Sequence, residues 1–417
     1  MIAVLAMLPA FSRAEVSPGE ILLSEMNCVA CHEAAEPVRT RLASRQSPRL
    51  GADGVRARPE WLRAFLADPH GTKPGTLMPE ILHTLPIEER APAVEALTHF
   101  LVSLQPSDAD LGPKMGAVNV EAGRRLYHEV GCVLCHAPEE PPPGVEPGAT
   151  ATAELAKLRA SSVPMGDLAS KFTVGELAAF LRDPLKSRPS GRMPAMKLDV
   201  TEAELIATWL LRAQQPEAGA PFRVDAALAR RGREYFAQLN CSACHAGTDL
   251  PARPAKPLVR LTARQPAGCI AAKPKPGLPR FDLTERQRVL IHAALGNQET
   301  LAAALDPAQQ IRRTLTVLNC YACHHRDHRG GVDAARRGYL VSTSATDLGE
   351  EGRIPPHLKT IGARLPRATL ESVLIQGATL RPSLATRMPL YGVGNVGHLA
   401  ALFEAVDSRP EPQASPK

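Results

Sequence analysis

Cys28-Val29-Ala30-Cys31-His32 is the stretch on which the reading of this chain turns, because its pattern returns at Cys132-Val133-Leu134-Cys135-His136, Cys241-Ser242-Ala243-Cys244-His245 and Cys320-Tyr321-Ala322-Cys323-His324. All four read C-x-x-C-H, the attachment signature of c-type haem. Two thiols three residues apart lie on one side of a helical turn and can add to the two vinyl groups on one porphyrin edge. The next residue then sets an imidazole beneath the iron as proximal ligand. Paired C-x-x-C units also hold zinc, and a single one can be a redox dithiol. Neither alternative asks for His after the second Cys at every copy. The sequence therefore predicts four covalently attached haems. Cys28, Cys31, Cys132, Cys135, Cys241, Cys244, Cys320 and Cys323 are the anchors, and His32, His136, His245 and His324 the proximal iron ligands. Of the nine cysteines only Cys269 is left over.

Composition agrees with that expectation. In 417 residues, four such sites leave about a hundred residues each, the size of one small domain with its own core. Aromatic residues make up only 4% of a chain that is 44% hydrophobic, and a buried porphyrin supplies the large flat filler that aromatic side chains normally provide. The formal charge of +6 does not point to nucleic acid, since four haems would bring about −8 in propionates. Residues 2–11 are apolar and lead into Ser12-Arg13-Ala14, a small-x-small cleavage pattern, so residues 1–14 read as a short signal peptide without a basic n-region. Haem attachment outside the cytoplasm agrees with export, and the expected location is periplasmic or otherwise exported. No other run approaches the roughly eighteen apolar residues that span a bilayer, so no transmembrane segment is expected.

Aligned on the first Cys, the four copies share more than the motif. An amphipathic helix precedes each, seen in Gly19-Glu20-Ile21-Leu22-Leu23, Gly123-Arg124-Arg125-Leu126-Tyr127, Gly232-Arg233-Glu234-Tyr235-Phe236 and Ile311-Arg312-Arg313-Thr314-Leu315. The residue before Cys is Asn27, Gly131, Asn240 or Asn319, types that adopt the left-handed helix-ending conformation cheaply. In three copies a Gly nine residues before the Cys would let another helix approach closely. Candidate partner helices lie at 88–104, 201–212, 284–295 and 397–406. Residues 106–113 and 215–221 read as linkers, 139–147 as an exposed Pro-rich loop, and Ser408 onward as a tail.

With those features in view, each unit resembles a class I c-type cytochrome domain: an N-terminal helix, C-x-x-C-H, a loop carrying a distal Met, and a C-terminal helix crossing the first. The resemblance covers nearly the whole mature chain. It implies a mainly α fold, a tandem array of four small class I cytochrome c domains, each helical around one covalent haem. Their expected bounds are 15–108, 117–215, 222–305 and 306–408, followed by a tail at 409–417. It also implies Met78, Met193 and Met388 as sixth ligands of iron, each in a Met-Pro pair 50, 61 and 68 residues past the first Cys of its unit. Met196 is the weaker candidate beside Met193. In the third unit no Met stands at the equivalent loop, Leu278-Pro279-Arg280-Phe281, and the helix seen around Trp61 is missing. Cys269 is the candidate sixth ligand of the third haem, against readings as a small buried hydrophobe or a reactive thiol, with His292 or an open iron as fallbacks.

Scattered His70, His83, His99, His128, His292, His357 and His398 read as surface or satisfied core residues, and His325 and His328 as exposed neighbours of His324. The function expected is electron transfer between a redox donor and acceptor protein that the sequence does not name. The alternative is a haem enzyme of thiosulfate dehydrogenase or peroxidase type, acting on a small molecule at the third haem. Matured with a working haem-attachment system, the denatured protein should weigh four haems more than the bare chain by mass spectrometry; three or fewer would refute the reading of the motifs.

Overall fold

The computed structural model describes residues 16–54, 56–105, 119–213, 222–261 and 268–407. The leader, both linkers and the tail expected from sequence lie outside them. The chain is mainly helical. Helices that build the cores are α1 (Pro18–Glu25), α2 (Pro59–Ala67), α3 (Ile87–Ser103), α4 (Val120–Glu129), α5 (Ala149–Ala160), α6 (Val174–Arg182), α7 (Val200–Leu210), α8 (Ala226–Gln238), α9 (Glu285–Gly296), α10 (Pro307–Val317), α11 (Ile361–Arg364) and α12 (Leu399–Asp407). Among the described residues no helix is long and apolar enough to cross a membrane.

Local chemistry starts these helices where the sequence marks them. Ser17 and Glu20 close a reciprocal capping box on α1, with Pro18 in its first turn. Asp199 with Glu202, Thr284 with Gln287 and Asp306 with Gln309 do the same for α7, α9 and α10. Asn119 and Asp225 cap α4 and α8 from their side chains. The four expected helix-ending residues are left-handed, with φ of 53° at Asn27, 103° at Gly131, 58° at Asn240 and 55° at Asn319. Helix α5 was not foreseen; its sequence, rich in Ala, Thr and Leu, carries no clear apolar stripe, and only Leu158 on it is buried.

Packing departs from the tandem expectation. In the second unit α4 meets its own α7: a Cβ on Gly123 would lie 2.1 Å from the Leu205 carbonyl oxygen, and the Tyr127 ring lies tilted against Trp209 with centroids 4.6 Å apart. The fourth unit likewise closes on its own helix, with α10, α11 and α12 around one core and Thr314 hydrogen-bonded at 3.0 Å to His398, while its Tyr339 is buried in the second unit's core. The first and third units instead exchange partners. Gly232 of α8 presses on α3, where a Cβ would lie 2.0 Å from the Ala96 carbonyl oxygen, and Phe236 meets Phe100 edge-on at 5.4 Å. Gly19 of α1 presses in the same way on Leu290 of α9, at 2.1 Å. The resulting cores mix the two units: Leu97 and Phe100 with Tyr235 and Phe236 in one, Leu23 and Leu42 with Ile291 and Leu295 in the other.

Thus 15–108 and 222–305 are not two separate domains but one intertwined lobe. The units share the same small-residue notch and the same apolar partner helix, so either pairing satisfies the local pattern; the exchange buries both halves together. Two isolated antiparallel bridges tie corresponding loops, Glu80 to Arg280 in this lobe and Ala195 to Leu390 between the second and fourth units. Each bridge lies two residues past a Met-Pro or Leu-Pro position, so the same register recurs in both lobes. Main-chain contacts join the lobes, among them Arg49 N to Ser187 O at 2.7 Å and Arg58 N to Lys171 O at 3.0 Å.

Residues 16–105 produced alone should stay unfolded, because Ala93, Ala96, Leu97 and Phe100 lose the face that covers them. Co-production with 222–305 should restore a cooperative thermal transition and a co-purifying pair. A folded, monomeric 16–105 would refute the exchange.

Candidate haem sites

Each C-x-x-C-H segment is one helical turn. The His N–H donates to the carbonyl of the first Cys at 3.0 Å in His32, 2.9 Å in His136, 3.0 Å in His245 and 2.9 Å in His324. The left-handed residue before it ends the preceding helix and swings this turn out of the helix axis, which is why the same short motif recurs in the same pose.

The imidazole of every C-x-x-C-H segment is held by a backbone carbonyl. His32 Nδ1 lies 2.7 Å from Lys256 O, His136 Nδ1 3.0 Å from Val163 O, His245 Nδ1 2.9 Å from Pro48 O and His324 Nδ1 2.7 Å from Pro356 O. A carbonyl oxygen can only accept, so Nδ1 carries the proton and Nε2 keeps its lone pair. Burial lowers the pKa of His136, His245 and His324, favouring the neutral imidazole that a metal needs. Burial likewise pushes the Cys28, Cys132, Cys241 and Cys320 thiols up to about 12. They stand as neutral thiols beside apolar cores. Among the described residues no group of three or more His, Cys, Asp or Glu is placed to hold a metal ion. A haem iron asks for only two axial donors, and this donor set fits one.

The carbonyls repeat the helix exchange. Lys256 belongs to the third unit and holds His32 of the first; Pro48 belongs to the first and holds His245 of the third. Leu258 N to Glu33 O at 2.8 Å and Leu50 N to Ala246 O at 2.7 Å reinforce these crossed contacts. Leu358 N to His325 O at 2.9 Å makes the same contact inside the fourth unit. Leu follows the holding residue by two positions in all three, a signal present in the sequence and visible only once the partner is known.

The expected distal residues divide accordingly. Met193 packs with Cys132 on the second core. Met388 is partly buried on a segment pinned by Arg387 N to Val130 O at 3.1 Å, and Tyr391 just beyond it packs in the same core as Cys320. Met78 packs on the core that contains Cys241, not on the one that contains Cys28. Cys269 stands on the other side of the exchange: its thiol is half-buried and electrostatically coupled to Cys28 and Cys31 of the first motif. The sequence reading attaches Cys269 to the third motif, whereas its electrostatic neighbours are Cys28 and Cys31 of the first. Met196 is buried in the second core. His292 lies on α9, with Nδ1 buried and without a hydrogen bond.

The motifs also lie in pairs. The Cys31 and Cys244 thiols lie close enough to influence one another electrostatically, and Asn319, beside the fourth motif, donates to Cys135 Sγ of the second at 3.8 Å. Of the scattered histidines, His99 accepts from Asp225 N at 2.9 Å, and His128 holds Arg124 O at 2.9 Å while stacking on Tyr339. His325 has ring neighbours in His357 at 5.1 Å and His328 at 6.4 Å, beside the fourth motif.

Arg336 escaped the sequence reading, although it reaches from the fourth unit into the second. Its guanidinium, 5% exposed, donates to the carbonyls of Val133, His136 and Leu158 and to Ser162 Oγ. No protein-family model, curated protein or solved structure matches the chain. Its chemistry is carried by its own residues.

Arg336→Met should lower stability by about 3 kcal/mol in denaturant titration, since it removes a charged donor from several buried acceptors. Arg336→Lys should recover little, lacking the planar fork. A loss under about 1 kcal/mol would show that water replaces the guanidinium there.

Proposed function

We propose that this chain is an exported c-type cytochrome of four class I-like units that carries electrons between redox protein partners through four covalently attached haems. The observation that carries the reading is the fourfold recurrence of one arrangement: a left-handed residue, a C-x-x-C-H turn and an imidazole held at Nδ1 by a carbonyl. Haem, when bound, supplies a one-electron iron couple.

The protein does the rest. Eight cysteines anchor, and His32, His136, His245 and His324 each present Nε2. Met193 completes the second site and Met388 the fourth. By the exchange, Met78 completes the site of His245 and Cys269 that of His32. A Met thioether raises the potential of the iron it binds, whereas a thiolate stabilises the ferric state and lowers it. The odd site is thus the first, and Cys269 makes it the low-potential end of the array. Contacts between Cys31 and Cys244, and between Asn319 and Cys135, favour electron passage within two pairs of sites, first with third and second with fourth. Chain order is not the expected route.

Met78→Ala should open one iron to cyanide, and that effect should disappear in a chain also carrying Cys241→Ala and Cys244→Ala but persist with Cys28→Ala and Cys31→Ala. The lowest-potential centre in a redox titration should shift in Cys269→Ala and be absent when the first motif is removed. Its survival there, with loss on removing the third motif, would restore pairing in chain order. Thiosulfate or peroxide turnover that vanishes in Cys269→Ala would make the protein an enzyme instead of a carrier.

A further inference from the structure

Three cations meet where the lobes join, and among the described residues none has a carboxylate partner. Lys171, 9% exposed, holds its Nζ 4.4 Å from the Trp61 ring centroid and 4.7 Å from that of Phe172. The Arg188 guanidinium lies 4.8 Å over Phe180, and its buried Nε has no hydrogen-bond partner. Lys73 comes from the other lobe, and its stem passes Gly166, where a Cβ would lie 3.9 Å from Lys73 Cγ. That loop also carries Val163, whose carbonyl holds His136. Burial, and then repulsion from neighbouring cations, brings Lys73 down to about 8, Arg188 down to about 10 and Lys171 well below its usual range. Lys73 and Arg188 also disfavour the charged form of His136, after burial itself.

Lys171 is buried and Lys73 and Arg188 are half-buried; an unpaired cation withdrawn from water is costly, and aromatic faces offset only part of that cost. Three together, with acceptor-poor surroundings and a free Nε, ask for an anion with several oxygens. Arg192 nearby is satisfied by Glu25, so the deficit is confined to these three. We propose that Lys73, Lys171 and Arg188 form a carboxylate-binding seat shared by the two lobes, and that its occupants are the propionates of the porphyrin attached at Cys132 and Cys135. This rests on the cytochrome reading. It follows that loading the second site ties Lys73 of the first lobe to the second lobe. A soluble oxyanion offers the same oxygen chemistry, and the test separates the two sources.

Resonance Raman spectra of the holoprotein should show one propionate bending mode shifted in Lys73→Met, which is partly exposed and can be replaced without unfolding, and in Lys171→Met. The shift should be missing in a chain carrying Cys132→Ala and Cys135→Ala. Inorganic phosphate should leave the melting midpoint where chloride of equal ionic strength leaves it. A rise with phosphate that Lys73→Met abolishes would overturn the propionate occupant in favour of a soluble oxyanion. Unchanged modes and no phosphate effect, in protein that counts four haems by mass, would overturn the seat itself. A haem missing from Cys132 and Cys135 in the unmutated chain would instead overturn the reading on which the seat rests.

Discussion

The close crossing of two helices at a glycine is the contact on which the rest depends. Where Gly232 lies against Ala96 and Gly19 against Leu290, no side chain separates the backbones, and the flanking Phe, Tyr and Leu residues interlock on either side. That crossing decides which loop reaches which C-x-x-C-H turn. Once α8 rests on α3, Pro48 comes under His245 and Met78 joins the core of Cys241. Once α1 rests on α9, Lys256 comes under His32, and Cys269 comes beside Cys28. Four separate observations, from helix packing, carbonyl, leucine amide and distal side chain, follow one topological choice.

Charge is arranged to support that choice. Glu20 and Arg41, 3% and 4% exposed, pair at 2.6 Å within the first unit, and Arg41 also donates to Ala303 O of the third at 2.9 Å. Glu20 simultaneously closes the cap of α1, so both oxygens of its buried carboxylate accept hydrogen bonds. In the fourth unit Arg326 and Asp407, both 5% exposed, pair at 2.7 Å, and Asp407 also accepts from Gly362 N at 3.0 Å. Each of these cations has its carboxylate, although the buried Nε of Arg326 has no hydrogen-bond partner. Lys73, Lys171 and Arg188 differ from them in having no counter-charge among the described residues, and the contrast within one molecule gives that cluster its meaning.

Between the second and fourth units the logic is the same with a different result. Arg387 pairs with Glu202 across the units, and Arg336 holds the turn around His136 from the far unit. Each unit nonetheless keeps its own closing helix. Two lobes of similar internal register thus reach their pairing by different routes, one by exchange and one by docking.

The sequence by itself determined the elements: four C-x-x-C-H turns, the left-handed residue before each, the notch glycines, the partner helices and the absence of Met at Leu278. These are legible because they depend on residue type at short spacing, through capping, φ preference and helical periodicity. It also marked Cys269 as the odd residue. Which motif Cys269 and Met78 lie beside was decided only by the tertiary structure. Two notches of the same shape face two helices of the same pattern, and local complementarity cannot choose between a helix within the same unit and one more than a hundred residues away. Arg336 and the three unpaired cations were hidden for a related reason: a charged residue in sequence looks solvated until folding shows what surrounds it.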